Sequence, residues 1–170
     1  RKRQVAGQLK DKAKTDLEAE AAVQVAKALE QFNQAVKLKE NYTPAHFNQA
    51  LALEQQGKVD EAIDKLERMK LVNPQDIDVL YELGSLYYGK NELDKSQTIF
   101  TTISTLVPNH SNAHYGLALI AAKKSDRPTA IAQLEKVLEL NPGNKDIQKQ
   151  IDELKKPVET STTPPVPPKK

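Results

Sequence analysis

"LYELGSLYYGKNELDKS", residues 80–96, reads as a helix with an anomaly inside it. Leu80, Leu83 and Tyr87 recur at helical spacing and give it one apolar face. Gly84 lies in that face, where glycine costs a helix roughly 0.5–1 kcal/mol relative to alanine. A glycine kept at such a position implies that another element packs too close for a side chain. Other parts of the chain make the same choice. Pro74, Pro108 and Pro142 recur at equal intervals, in the contexts LVNPQD, LVPNHS and LNPGNK. Laid against that period, Gly84 aligns with Ala50 and Ala118, and a second small column holds Ala62, Ser96 and Ala130. Leu66, Phe100 and Leu134 form a large apolar column beside them. Small residues facing large ones at a fixed period predict helices packed closely in pairs.

Composition agrees with a helical, water-exposed chain. Of the 170 residues, 38% are hydrophobic and 28% charged, and there is no cysteine and no tryptophan. Disulfides and thiolate metal sites are thereby excluded. No apolar run reaches the roughly 18 residues that a spanning helix requires. The net charge of +2 conceals a split. Arg1, Lys2, Arg3, Lys10, Lys12 and Lys14 are offset only by Asp11, and four lysines after residue 154 only by Glu159, so the body between is acidic. An acidic body argues against nucleic acid as partner, since phosphate binding needs a basic stripe on the folded surface. The basic start reads as a solvated helix end or a cut boundary. With Arg1 in place of methionine, the chain reads as a fragment of something longer.

Residues 4–40 contain no proline and are rich in alanine, leucine, glutamate and lysine, which are strong helix formers. Ala28, Phe32 and Ala35 stand one period before Ala62, Leu66 and Met69, so the second half of this segment resembles the second helix of a repeat. Asp16 and Val23 break the pattern in the first half, which favours one long helix over residues 1–42 rather than a hairpin. Three full units follow, at 43–76, 77–110 and 111–144. Each divides around a polar turn, QQGKVD, GKNELD or KKSDRP, with Asp60, Asp94 and Asp126 expected as polar caps. Pro44 and Pro128 suit the first turn of a helix. Ile147, Ile151 and Leu154 place an apolar stripe on a closing helix over 145–156. From Pro157 to residue 170 the chain is rich in proline and threonine and predicts a disordered tail.

These units resemble tetratricopeptide repeats, on the columns Ala50/Gly84/Ala118, Ala62/Ser96/Ala130, Leu66/Phe100/Leu134 and Pro74/Pro108/Pro142, and on the stretch AIAQLEKVLELNPGN at 130–144. The spacing of the prolines is also that of the family's helix–turn–helix unit. The resemblance implies an all-α, right-handed superhelical solenoid whose first helices line a concave ligand surface. His46 and His114 stand where the family has a large apolar residue, and Gln49 where it has an aliphatic one. A second resemblance is to the C-terminal parts of bacterial membrane proteins of the O-antigen ligase or polymerase type. It rests on the basic start, the long helix, the short array and the proline-rich end, and would place RKR just after a membrane segment outside this chain.

No phosphate-binding glycine loop, nucleophile elbow or HExxH pattern is present. His110 and His114 are four residues apart, a spacing that suits a metal only if both lie on one helix; His110 belongs to the loop between units. We therefore expect no catalytic residues, no cofactor and no metal. The constellation with most promise lies in the first helices, where Phe47, Tyr81 and Tyr115 fall one period apart as an aromatic row. Asn48, Leu51, Glu54 and Gln55 surround the first, Asp78, Glu82, Ser85 and Tyr88 the second, and Asn112 and Leu119 the third. Aromatics offer large contact area at small entropy cost. With Glu54, Asp78 and Glu82 beside them, the expected partner is a protein segment or peptide that is apolar with some positive charge. Some repeats of this family grip the carboxylate tails of heat-shock chaperones with basic residues; acidic groups in those columns speak against that role here. Self-association and a purely structural spacer are the alternatives. The compartment stays open between a cytoplasmic domain and one tethered to a membrane through a segment beyond Arg1.

Overall fold

The computed structural model describes residues 2–38 and 43–156, with side chains from Lys12 onward. The described residues form helices and turns without a strand: α1 (Lys2–Leu38), α2 (Thr43–Gln55), α3 (Val59–Val72), α4 (Ile77–Gly89), α5 (Leu93–Leu106), α6 (Ser111–Lys123), α7 (Arg127–Leu140) and α8 (Lys145–Lys155). The architecture is all-α, built from helix–turn–helix pairs. The proline-rich stretch after Lys156 lies outside the described residues.

Two compact units divide at residues 108 and 109. In the first, α2 packs between α1 and α3, and α4 between α3 and α5. α1 runs unbroken from Lys2 to Leu38. Side chains 12–24 are exposed, whereas Ala28, Phe32 and Ala35 are half-buried. The core of this unit holds Ala50, Ala62, Leu66, Leu80, Leu83 and Ile103, each at most 1% exposed. Gly84 is the point of closest approach between α4 and α5. A Cβ there would stand 3.0 Å from Phe100 Cζ, 3.1 Å from Phe100 Cε1 and 3.2 Å from Ile99 Cγ2. Ser96 Oγ, wholly buried, donates a 2.7 Å hydrogen bond to the Gly84 carbonyl at the same crossing.

In the second unit α7 packs against both α6 and α8. Ala118, Leu134, Val137, Ile147 and Ile151 form its core, with Tyr115, Ile131, Leu138 and Leu154 packed against it. α8 presents its apolar stripe to this core and its charges to water, and Lys155 pairs with Glu135 of α7 at 2.8 Å.

The turns inside the three pairs share one device. Gly57, Asn91 and Ser125, equivalent positions in successive units, have positive φ of 75°, 62° and 61°. The residue after each returns its amide to the carbonyl five back: Lys58 to Leu53 at 2.9 Å, Glu92 to Tyr87 at 2.9 Å and Asp126 to Ala121 at 2.8 Å. This left-handed closure satisfies carbonyls that a helix end leaves without partners. It also shortens the turn, so α3 and α5 begin directly after it, with Lys58 and Glu92 as N-caps lacking a side-chain bond. Asp60 and Asp94 therefore sit in the first turn instead of capping, where their charge still suits the positive helix end. Asp126 does cap α7, accepting from the Thr129 amide at 3.2 Å.

Candidate protein-binding face

Helical spacing puts Phe47, Asn48, Leu51, Glu54 and Gln55 on one face of α2, and Asp78, Tyr81, Glu82, Ser85 and Tyr88 on one face of α4. Most of these side chains are half-buried; Gln55 and Asp78 are exposed. Glu54 and Glu82 meet across the two helices and share a hydrogen bond. Burial first, then that bond and the charge of Glu54, push the Glu82 carboxyl up to about 7. Near neutral pH the pair therefore holds a proton part of the time, and neither carboxylate has a basic partner among the described residues.

The aromatic residues also have structural work. Tyr81 meets Phe100 edge-on, ring centroids 5.9 Å apart at 66°, and Tyr115 packs on the core of the second unit. Ser85 Oγ donates to the Tyr81 carbonyl of its own helix at 3.0 Å. In the second unit α6 carries Asn112 exposed and Tyr115 and Leu119 half-buried. Leu119 lines a cavity of about 260 Å³ with Ala118, Ala122 and Leu154.

The histidines take structural partners. His110 caps α6, its Nδ1 accepting from the Ala113 amide at 3.1 Å. His114 Nδ1 lies 2.8 Å from Gln133 Oε1 on α7. His46 Nδ1 lies 3.5 Å from Lys65 Nζ on α3. Among the described residues no group of three His, Asp or Glu side chains is placed to hold a metal ion, and no helix is long and apolar enough to cross a membrane.

One concavity was missed from the sequence. About 490 Å³ opens between α2 and α3, lined by His46, Leu53, Lys65, Arg68, Met69 and Val72 among others. Its signal was present in the period: the column holding Lys65 continues as Ile99 and Gln133, so this unit alone puts a charge there.

Models of the tetratricopeptide repeat match the chain over residues 17–76, 53–123 and 111–144. The chain belongs to the tetratricopeptide repeat family. Tetratricopeptide repeats are generally protein–protein interaction scaffolds without catalysis of their own, and the fold of this array supports the scaffold class. Among curated proteins, the cell division cycle protein 27 homolog of Caenorhabditis elegans is 31% identical over 50% of this chain and 11% of its own length. The cellulose synthase operon protein C of Pseudomonas fluorescens (strain SBW25) is 30% identical over 58% of the chain and 8% of its own. The array thus spans about a tenth of either relative.

Solved structures show the same fold. MamA (residues 41 to the end) from Desulfovibrio magneticus RS-1 superposes with a TM-score of 0.70 at 14% identity, over 82% of each chain. YrrB, described as a TPR protein with an unusual peptide-binding site, gives 0.67 at 18%, over 76% of this chain and 66% of its own. The first TPR of Spaghetti (RPAP3), bound to the HSP90 peptide SRMEEVD, gives 0.60 at 19%, over 64% and 86%.

Proposed function

We propose that the open face of α2 and α4 binds a segment of another protein, apolar with some positive charge, and that the array acts as a non-enzymatic scaffold. One observation carries this reading. Two carboxyl groups from different helices, Glu54 and Glu82, are held together without a cation beside half-buried Phe47 and Tyr81. A lysine or arginine of a ligand would supply that cation, while its apolar residues cover Phe47, Leu51 and Tyr81. Peptide binding by YrrB and by the RPAP3 repeat, both of this fold, supports the ligand class. The SRMEEVD peptide of the RPAP3 structure is acidic, and the carboxylates of this face should reject such a tail. On the second unit, Asn112, Tyr115 and Leu119 are proposed as a contact surface of their own.

The test is affinity capture from host lysate with the wild type and a Phe47→Ala, Tyr81→Ala, Tyr115→Ala variant, after circular dichroism has shown that the variant folds. A partner captured by the wild type and lost by the folded variant is the expected result. A partner retained by the variant would reduce these residues to packing. A solution mass rising with concentration, with nothing captured, would favour self-association instead.

A second reading is an accessory domain of a larger glycan-assembly protein. It is favoured by the likeness to a protein named for a cellulose synthase operon, of which the array spans a small part. Hydrophobic segments encoded upstream of Arg1 would support it, and a flanking sequence without them would remove the membrane-bound form of it.

A further inference from the structure

Among the described residues, the first half of α1 has no helix packed on it. Every side chain from Lys12 to Gln24 is exposed, whereas Val25, Ala28, Phe32 and Ala35 further along are half-buried, and α2 is the helix that α1 packs against. In water a helix draws most of its stability from packing one face on a neighbour, and short unsupported helices are marginal. Leu17, in this stretch, is 68% exposed. Ala13 and Ala21 stand one turn to either side of it on the same face. The charges beside that face are ordered. Lys14 and Glu18 run along one flank, and Lys12, Asp16 and Glu20 along the other. On both flanks the cation comes first and the carboxylates follow. Lys14 and Glu18 are 3.8 Å apart along the helix and largely exposed, a contact that contributes little. Lys12, Asp16 and Glu20 make no ion pair among the described residues.

This order is complementary to its own reverse. A parallel neighbour of the same sequence would set cation against cation and carboxylate against carboxylate. In an antiparallel pair related by a two-fold axis, each flank meets its own copy, so Lys14 faces Glu18 and Lys12 faces Glu20. Residue 16 lies midway between the members of both pairs, so the two flanks demand the same register independently. In that register Leu17 of one copy lies level with residue 15 of the other, in the hollow between Ala13 and Leu17. We propose that the first half of α1 is a dimerisation helix whose partner is a second copy of this chain, antiparallel and centred on Asp16. The two Asp16 carboxylates approach each other at the axis, a local repulsion set between two Lys12–Glu20 pairs. Such a dimer leaves Glu54 and Glu82 unused and presents the face of α2 and α4 twice, which raises the apparent affinity for a repeated ligand.

The experiment uses the whole chain, which has no cysteine, so an introduced thiol reports on one position. Light scattering should give a mass that rises with concentration from 18.9 kDa toward twice that, and falls again as added salt screens the flanks. Lys12→Glu with Lys14→Glu should weaken the association about tenfold or more, and so should Glu18→Lys with Glu20→Lys. Mixing these two variants should restore it, a rescue that mere loss of helix would not give. Asp16→Asn should tighten the dimer. Under oxidation, Ala13→Cys mixed with Ala21→Cys should form a disulfide between chains while neither does so alone, because only the antiparallel register brings the two positions together. Disulfides in either variant alone, a mass of 18.9 kDa at every concentration, or an undiminished dimer in the charge-reversed variants would each overturn the proposal. Glu54→Gln should leave the mass unchanged, which separates this association from the face proposed above.

Discussion

At Gly84 the missing side chain is matched by an excess next door. The other two units pair Ala50 with Leu66 and Ala118 with Leu134, whereas this one pairs glycine with the bulkier Phe100. Volume is exchanged across the helix crossing, as a close-packed interior demands. Gly84→Ala should therefore cost about 1 kcal/mol, overpacking outweighing the gain in helix propensity. In a Phe100→Leu background the same change should become neutral or stabilising. A double-mutant cycle by urea denaturation measures the coupling, and strictly additive effects would refute the exchange. Ser125 is the complementary case, since it holds φ at 61° where the first unit has Gly57. A β-carbon is strained there, so Ser125→Gly should stabilise by about 0.5–1 kcal/mol, read as a higher denaturation midpoint at unchanged slope. A loss of stability would mean that the turn tolerates serine without strain.

Between elements, Gln49 joins α2 to α1. It is 4% exposed, its Nε2 donates to Asn33 Oδ1 at 2.7 Å, and its Oε1 is buried without a partner. Exchanging the amide's two ends only moves the defect to the nitrogen. The same column holds Leu83 and Leu117 in the other units. Gln49→Leu should thus raise stability by about 1 kcal/mol, because a buried unsatisfied polar atom is removed and apolar contact is gained. A thermal melt checks it, and a lower Tm would show that the bond to Asn33 is worth more than the orphaned oxygen costs. The sequence flagged Gln49, His46 and His114 as departures from the family pattern. What it could not supply was their partners, Asn33, Lys65 and Gln133, which lie on other helices. Likewise the acidic residues of α2 and α4 were legible as a set, but the proton that burial and Glu54 favour on the Glu82 carboxyl was not.

For the molecule as a whole, that proton links the proposed face to pH. A carboxyl raised from 4.5 to about 7 on folding means that the folded chain holds more protons than the unfolded one between those values. Its contribution is therefore present in full below about pH 4.5 and is lost as the pH rises toward 7. Glu82→Gln should flatten that part of the stability profile and leave the variant more stable than the wild type near pH 8. Binding of a cationic segment should move the other way, tightening from pH 6 to 8 as the pair takes up its full charge. Urea denaturation and peptide titration across that range test both, and a wild-type profile identical to that of Glu82→Gln would remove the carboxyl pair from the account. The repeat period, the small and large columns, the turn positions and hence the family could all be read from the chain before any coordinates, because each depends on residue types at short or repeating separations. That Gly84 yields to Phe100, that the Glu82 carboxyl meets Glu54 across two helices, and that Gln49 keeps a buried oxygen without a partner emerged only in three dimensions. Burial and charge pairing arise when separate helices close on one another, and no spacing along a single chain encodes which side chains will then be left without partners.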